Sequence, residues 1–283
     1  MGELAFVNGR FMPLDEAVVP IEDRGFQFAD GVYEVVATYG GEPFALKPHF
    51  ERLERSLAAL SLALDIRTYG LEALLREGLE RAGFDETLVY IQVTRGVAPR
   101  HHEFPAAPVD PTVVMTFKQL YRIPQAHYER GVAVISAPDQ RWRRCDIKTI
   151  ALLPNILAKQ QARAAGAFET LLVDGEGRVT EGSSTSAFCV VDGAVHTAPE
   201  GPQILPSITR GQLLELAGEL GLPVVEDFRT LDEFKAADEV FLAGTTTEAM
   251  PVVRIDDAVI GTGAPAPITL KLREAFLAKA APA

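Results

Sequence analysis

Apolar and polar positions alternate along the first third of the chain in a way that predicts strands followed by helices. Leu4–Val7 and Arg10–Pro13 flank Asn8-Gly9, a pair that tolerates the positive φ of a tight turn, so a β-hairpin is expected there. Residues 33–39 are rich in β-branched and aromatic side chains; Gly40-Gly41 turns the chain and 42–46 returns it. Pro48 then opens a helix whose Phe50, Leu53, Leu57 and Leu60 recur at spacings of three and four. A second helix, Leu71–Ala82, stops at Gly83, and 87–95 and 111–120 read as strands. The loop between those strands, 96–110, carries three prolines and the pair His101-His102, a length more typical of a functional loop than of a plain connection.

A polar stretch with Pro124 interrupts the pattern, and it sets the expected domains: 1–120, a linker at 121–125, and 126–283, the last carrying Lys148. In the second domain a strand is expected at 132–137 and a helix at 155–165, ended by Gly166. A hairpin should follow from 170–173 and 179 onward, turned by Asp174-Gly175-Glu176-Gly177. Further on come a helix at 209–220, strands at 223–226 and 239–243, and a closing helix at 268–279. Strands outnumber helices and come in hairpins, so two α+β lobes fit better than a doubly wound parallel sheet. A crevice between lobes is where a small ligand is expected.

Composition narrows the partners. The net charge of −12 argues against a general nucleic-acid or anionic-membrane surface, so an anionic ligand needs a local cluster of cations. No apolar run is long enough to span a bilayer, and the N-terminal segment lacks the basic-then-apolar pattern of a signal peptide. Cys145 and Cys189 match no zinc spacing and read as reduced thiols in a cytoplasmic protein. No metal site is expected: His101 and His102 are adjacent, so their side chains diverge, and no carboxylate cluster accompanies them.

Lysine is scarce, seven against twenty arginines, and Lys148 sits in Arg141-Trp142-Arg143-Arg144-Cys145-Asp146-Ile147-Lys148. A lysine that forms a Schiff base must attack as the neutral amine, which nearby cations and an apolar surrounding favour. Three arginines before it and apolar 150–153 after it offer both. Local composition alone nevertheless favours an ordinary surface lysine. The wider pattern reverses that reading. R-W-x-R-C-D-I-K, then Val179-Thr180-Glu181-Gly182-Ser183-Ser184 about thirty residues on, resembles the fold-type IV enzymes dependent on pyridoxal 5′-phosphate (PLP). Glu22-Asp23-Arg24-Gly25-Phe26-Gln27-Phe28-Ala29-Asp30-Gly31-Val32-Tyr33-Glu34 is similar to their opening motif, and within them the chain looks most like the D-amino acid aminotransferases.

That resemblance implies a two-lobed architecture with the cofactor between the lobes and Lys148 as the catalytic, Schiff-base lysine. It makes Glu181 the acid that keeps the cofactor's ring nitrogen protonated. Arg52 becomes the phosphate arginine, with Ile208 and Thr209 at a helix start and Thr245 and Thr246 in a turn completing the cradle. Without the resemblance, Arg52 reads as a helix-surface partner for nearby acids, and the other two stretches as capping and turn sequences. Pro99-Arg100-His101-His102-Glu103-Phe104 looks like the P-R-x-H-x-F loop by which Arg100 and His102 hold a substrate carboxylate, reaching across a homodimer, while Tyr33 contributes from its own subunit. His49 aligns near the phosphate helix without an assigned role, and His127 and His196 carry no motif. Ser186 stands where the family often has asparagine in E-G-x-x-x-N, which bears on fine positioning around the cofactor.

The implied reaction is transfer of an amino group from a D-amino acid to a 2-oxo acid, such as D-alanine with 2-oxoglutarate. Two other readings compete. One is a related enzyme for branched-chain L-amino acids or (R)-amines, or an aminodeoxychorismate lyase; the Arg100 loop argues against these. The other is a non-catalytic phosphate-ligand binder, which leaves the lysine–glutamate combination unexplained.

Overall fold

The computed structural model describes residues 2–282, which divide into two compact units. The first holds residues 2–121 together with Ile147–Ala151 and residue 282. Its elements are β1 (Leu4–Val7), β2 (Arg10–Pro13), α1 (Arg24–Phe28), β3 (Gly31–Tyr39), β4 (Glu42–Pro43), α2 (Leu46–Ala59), α3 (Leu71–Ala82), β5 (Thr87–Thr94) and β6 (Thr112–Gln119). The strands form one sheet in the order β2-β1-β6-β5-β3-β4. Asn8 and Gly9 both take positive φ, and Val7 opposes Arg10, as a two-residue hairpin requires.

The alternation of β3, β5 and β6 puts Val36, Val89, Ile91, Met115 and Phe117 into one core with Leu53 and Leu57 of α2 and Leu71 and Leu75 of α3. The helix α2 begins at Leu46, two residues before Pro48, so the returning strand is cut to Glu42–Pro43. The short helix α1, absent from the periodicity, is started by Asp23, whose carboxylate accepts the Gly25 N–H at 2.8 Å.

Segment Ile147–Ala151 differs from expectation, since the sequence pattern places Lys148 in the C-terminal domain. Here the segment belongs to the first unit and pairs with the start of β3. The Tyr33 N–H donates to the Lys148 carbonyl at 2.9 Å, the Ile150 N–H to Gly31 O at 3.1 Å, and Thr149 bridges Val32. Ile147 is 4% exposed within the core of this unit. Backbone donors of β3 and an apolar anchor therefore capture a piece of chain from far along the sequence.

The second unit, Arg122–Asp146 and Leu152–Ala281, contains α4 (Gln125–Arg130), β7 (Val132–Pro138), α5 (Leu153–Ala164), β8 (Glu169–Val173), β9 (Val179–Gly182), β10 (Ser186–Val191), β11 (Ala194–Thr197), α6 (Ile208–Glu219), β12 (Val224–Glu226), α7 (Leu231–Lys235), β13 (Glu239–Gly244), β14 (Glu248–Ile255), β15 (Ala258–Val259) and α8 (Pro267–Ala280). Its nine-stranded mixed sheet runs β12-β11-β10-β13-β14-β7-β8-β9, with β15 paired to β14. Val134, Leu171, Cys189, Leu242 and Met250 lie in its core. The architecture is α+β with two units. No helix among the described residues is long and apolar enough to cross a membrane.

Candidate active site

In the first unit, Lys148 is half-buried, with its ammonium 4.3 Å from the centre of the Tyr33 ring. The Lys148 N–H donates to Ser56 Oγ of α2 at 3.2 Å, and its carbonyl is held by Tyr33. Backbone contacts on both sides thus fix where the side chain starts, on the same stretch of β3 that supplies Tyr33.

Arg52 does not act as a surface partner for acids of its own helix. It is 3% exposed and makes a bidentate pair with Glu34: Nε to Oε1 at 2.7 Å and Nη2 to Oε2 at 2.8 Å. The His49 ring nitrogen Nδ1 lies 2.7 Å from the same Oε2. Burial alone would raise the Glu34 carboxyl, but the Arg52 charge and the bonds from Arg52 and His49 bring it down to about 2. Burial pushes the His49 ring below its ordinary value, against the pull of Glu34.

Neither Glu34 nor His49 was assigned a role from the sequence. One signal was present: Val32, Glu34 and Val36 alternate onto one face of β3, and a carboxylate inside an apolar stripe requires a buried partner.

Arg100 and His102 are exposed on the 96–110 loop of the same unit. The Arg100 guanidinium lies 4.5 Å from the centre of the Phe28 ring, and the His102 ring lies 5.6 Å from it. Their ring contacts go to α1 and not to Lys148 or Tyr33.

In the second unit, Glu181 is 6% exposed on β9. It pairs with Arg141, and its two oxygens also face the Leu205 N–H at 3.3 Å each. Arg141 is itself fixed by Asp139, at 3.0 and 2.7 Å, and by the Gln203 carbonyl at 3.1 Å. Burial pushes the Glu181 carboxyl up while Arg141 opposes the shift. Arg141 opened the motif read from the sequence, but its partner forty residues away was not legible there.

Ile208 and Thr209 are the first residues of α6, capped by Ser207. Their N–H groups precede the first intrahelical acceptors, and so offer donors with the positive end of the helix dipole. Thr245 and Thr246 are half-buried in the turn from β13 to β14. Ser186 pairs with Ala243 next to that turn. The hydroxyls of Thr185 and Ser186 are buried without a hydrogen-bond partner, as expected where a polar ligand completes the set. A phosphorylated, heteroaromatic cofactor fits these groups: donors and hydroxyls for its phosphate, a buried acid for its ring nitrogen. Among the described residues no cluster of three or more His, Cys, Asp or Glu could hold a metal ion.

The fold and these side chains define a PLP-dependent aminotransferase. Residues 31–255 match the family described as amino-transferase class IV, and the chain belongs to that family. It is 41% identical over 269 residues to a D-alanine aminotransferase of Bacillus licheniformis, covering 95% of this chain and 94% of that protein. A D-alanine aminotransferase of Staphylococcus haemolyticus is 40% identical over 271 residues, covering 96% and 95%. In structure the chain is similar to a branched-chain amino acid aminotransferase of T.th. bearing pyridoxamine 5′-phosphate, with a TM-score of 0.88, 29% identity, and coverage of 98% and 93%.

Proposed function

We propose that the protein transfers the amino group of a D-amino acid to a 2-oxo acid, with D-alanine and 2-oxoglutarate as a working pair. The observation that carries the reading is the Arg100–His102 loop. Among the described residues the Arg100 guanidinium makes no ion pair and lies 4.5 Å from the centre of the Phe28 ring, so its N–H donors are not taken by another carboxylate. Relatives that share this length of chain at about 40% identity are D-alanine aminotransferases, which supports the same substrate class.

When bound, PLP supplies an electrophilic carbon for amine attachment and a ring that withdraws electrons from the substrate Cα. Lys148 would hold the cofactor through its Nζ, beside the Tyr33 ring. As a free amine its Nζ would take the proton from the substrate Cα and, in the reverse half-reaction, return one there. Glu181 holds a proton on the ring nitrogen, and Arg141 pairs with that carboxyl and opposes the upward push of its burial. Arg52, the Ile208 and Thr209 N–H groups, and Thr245 and Thr246 bind the phosphate. The Glu34–His49 pair fixes the Arg52 guanidinium so that its direction is set before the anion arrives. Tyr33, Arg100 and His102 orient the substrate, the loop pair acting on the partner subunit of a homodimer in the cytoplasm.

The test has two arms. Borohydride reduction followed by peptide mapping should place the cofactor on Lys148, and Lys148→Ala should transaminate no faster than buffer. Pyruvate formation from D-alanine should exceed the corresponding reaction of L-leucine. A preference for L-leucine overturns the substrate assignment, and an adduct on another residue overturns the site.

A further inference from the structure

Arg24 and Phe28 of the opening motif have no part in the roles assigned above, yet their side chains converge on the loop that carries Arg100 and His102. Arg24 is 3% exposed. Its Nη1 donates to the His101 carbonyl at 2.7 Å and its Nη2 reaches the His102 carbonyl at 3.5 Å. Its Nε donates to Asp30 at 2.8 Å, and Asp30 also takes two bonds from Arg95, at 2.8 and 3.0 Å. Arg95 in turn lies 3.6 Å from the centre of the Phe104 ring at the far side of the loop. Burial alone would raise the Asp30 carboxyl, but the two arginines hold it below its ordinary value, so it remains an anion between them.

Phe28 occupies the middle of this arrangement. Arg24 lies 4.9 Å and Arg100 4.5 Å from its ring centre, and the His102 ring lies 5.6 Å away. Both loop residues assigned to the carboxylate therefore lie against the same aromatic ring, while the carbonyls of His101 and His102 accept from a buried arginine. A guanidinium stacked on a ring loses rotational freedom without spending its in-plane N–H groups. We infer that Arg24 and Phe28 are positioning residues for substrate-carboxylate recognition, acting through Arg100 and His102. The inference rests on the role proposed for those two residues.

Phe28→Leu removes the stacking face at a half-buried position, and Arg24→Lys keeps a cation beside Asp30 but cannot serve both carbonyls. Each should raise KM for D-alanine about tenfold, the size of one lost stacking or charged hydrogen-bond contact, with kcat changed by less than about twofold. Phe28→Tyr, which keeps the aromatic face, should restore KM. D-alaninol, which has the amine and methyl group but no carboxylate, should bleach the yellow cofactor band at the wild-type single-turnover rate in each variant. Unchanged KM in both variants, or equal losses with D-alanine and D-alaninol, overturns the inference. Arg100→Met separates the two levels: if it leaves KM for D-alanine unchanged, the carboxylate assignment itself fails. If Arg100→Met raises KM while Phe28→Leu and Arg24→Lys do not, the positioning role alone fails.

Discussion

Replacing Glu34 by glutamine keeps the shape of the side chain and removes its charge, and the consequence can be worked from the geometry. Glu34 is fully buried and accepts two bonds from Arg52 and one contact from His49. A carboxyl held at about 2 instead of its ordinary 4.5 stands for about 3 kcal/mol of native-state stabilisation at neutral pH. That agrees with the cost of about 3–5 kcal/mol for breaking a buried ion pair on one side only. The sign follows from the depressed value: the contribution is complete above pH 4.5 and is lost as the pH falls toward 2. Urea unfolding of the apoprotein, followed by circular dichroism, should show Glu34→Gln less stable than wild type by about 3 kcal/mol near pH 7. Near pH 3 the gap should shrink to less than about half of that, because the wild-type carboxyl then begins to lose its advantage. In a double-mutant cycle with Arg52→Met, the combined loss should fall well short of the sum. A gap below about 1 kcal/mol near pH 7, or one that persists unchanged to pH 3, refutes the reasoning.

Three other substitutions test separate parts of the fold. Arg141→Met strands the buried Glu181 carboxylate without its cation and should cost about 3 kcal/mol in chemical unfolding, together with weaker PLP retention on dialysis. In α3, Gly78→Ala puts a methyl carbon 2.1 Å from Phe117 Cζ, so the ring must shift; a loss of about 1–3 kcal/mol is expected in the same assay. Thr230 caps α7 through a reciprocal bond set with Glu233, and Thr230→Ala should cost about 1 kcal/mol with unchanged turnover.

The sequence carried the chemistry more clearly than it carried the contacts. The motif around Lys148 and the Glu181 turn pointed to the cofactor through their resemblance to the fold-type IV enzymes, whereas local composition alone favoured an ordinary surface lysine. It did not disclose that Arg52 pairs with Glu34, that Arg141 meets Glu181, or that Arg24 and Phe28 contact the Arg100 loop. Each of these pairs joins elements distant along the chain, and a single sequence has no periodicity that spans such a distance.

Local structure was legible in the sequence where a strong turn signal or a long apolar stripe marked it. The Asn8-Gly9 hairpin and the apolar stripes of α2 and α3 were written in their own residues, as was the stop at Gly83. Strand β10 was not: all but one of its six residues are buried, so no alternation marks it. Only the tertiary structure decided that Ile147–Ala151 joins the first unit, where β3 offers backbone donors and an apolar anchor site. Local patterns encode which backbone geometry is cheap for a segment. Which distant segment satisfies its hydrogen bonds and buries its charges is settled by the packed chain as a whole.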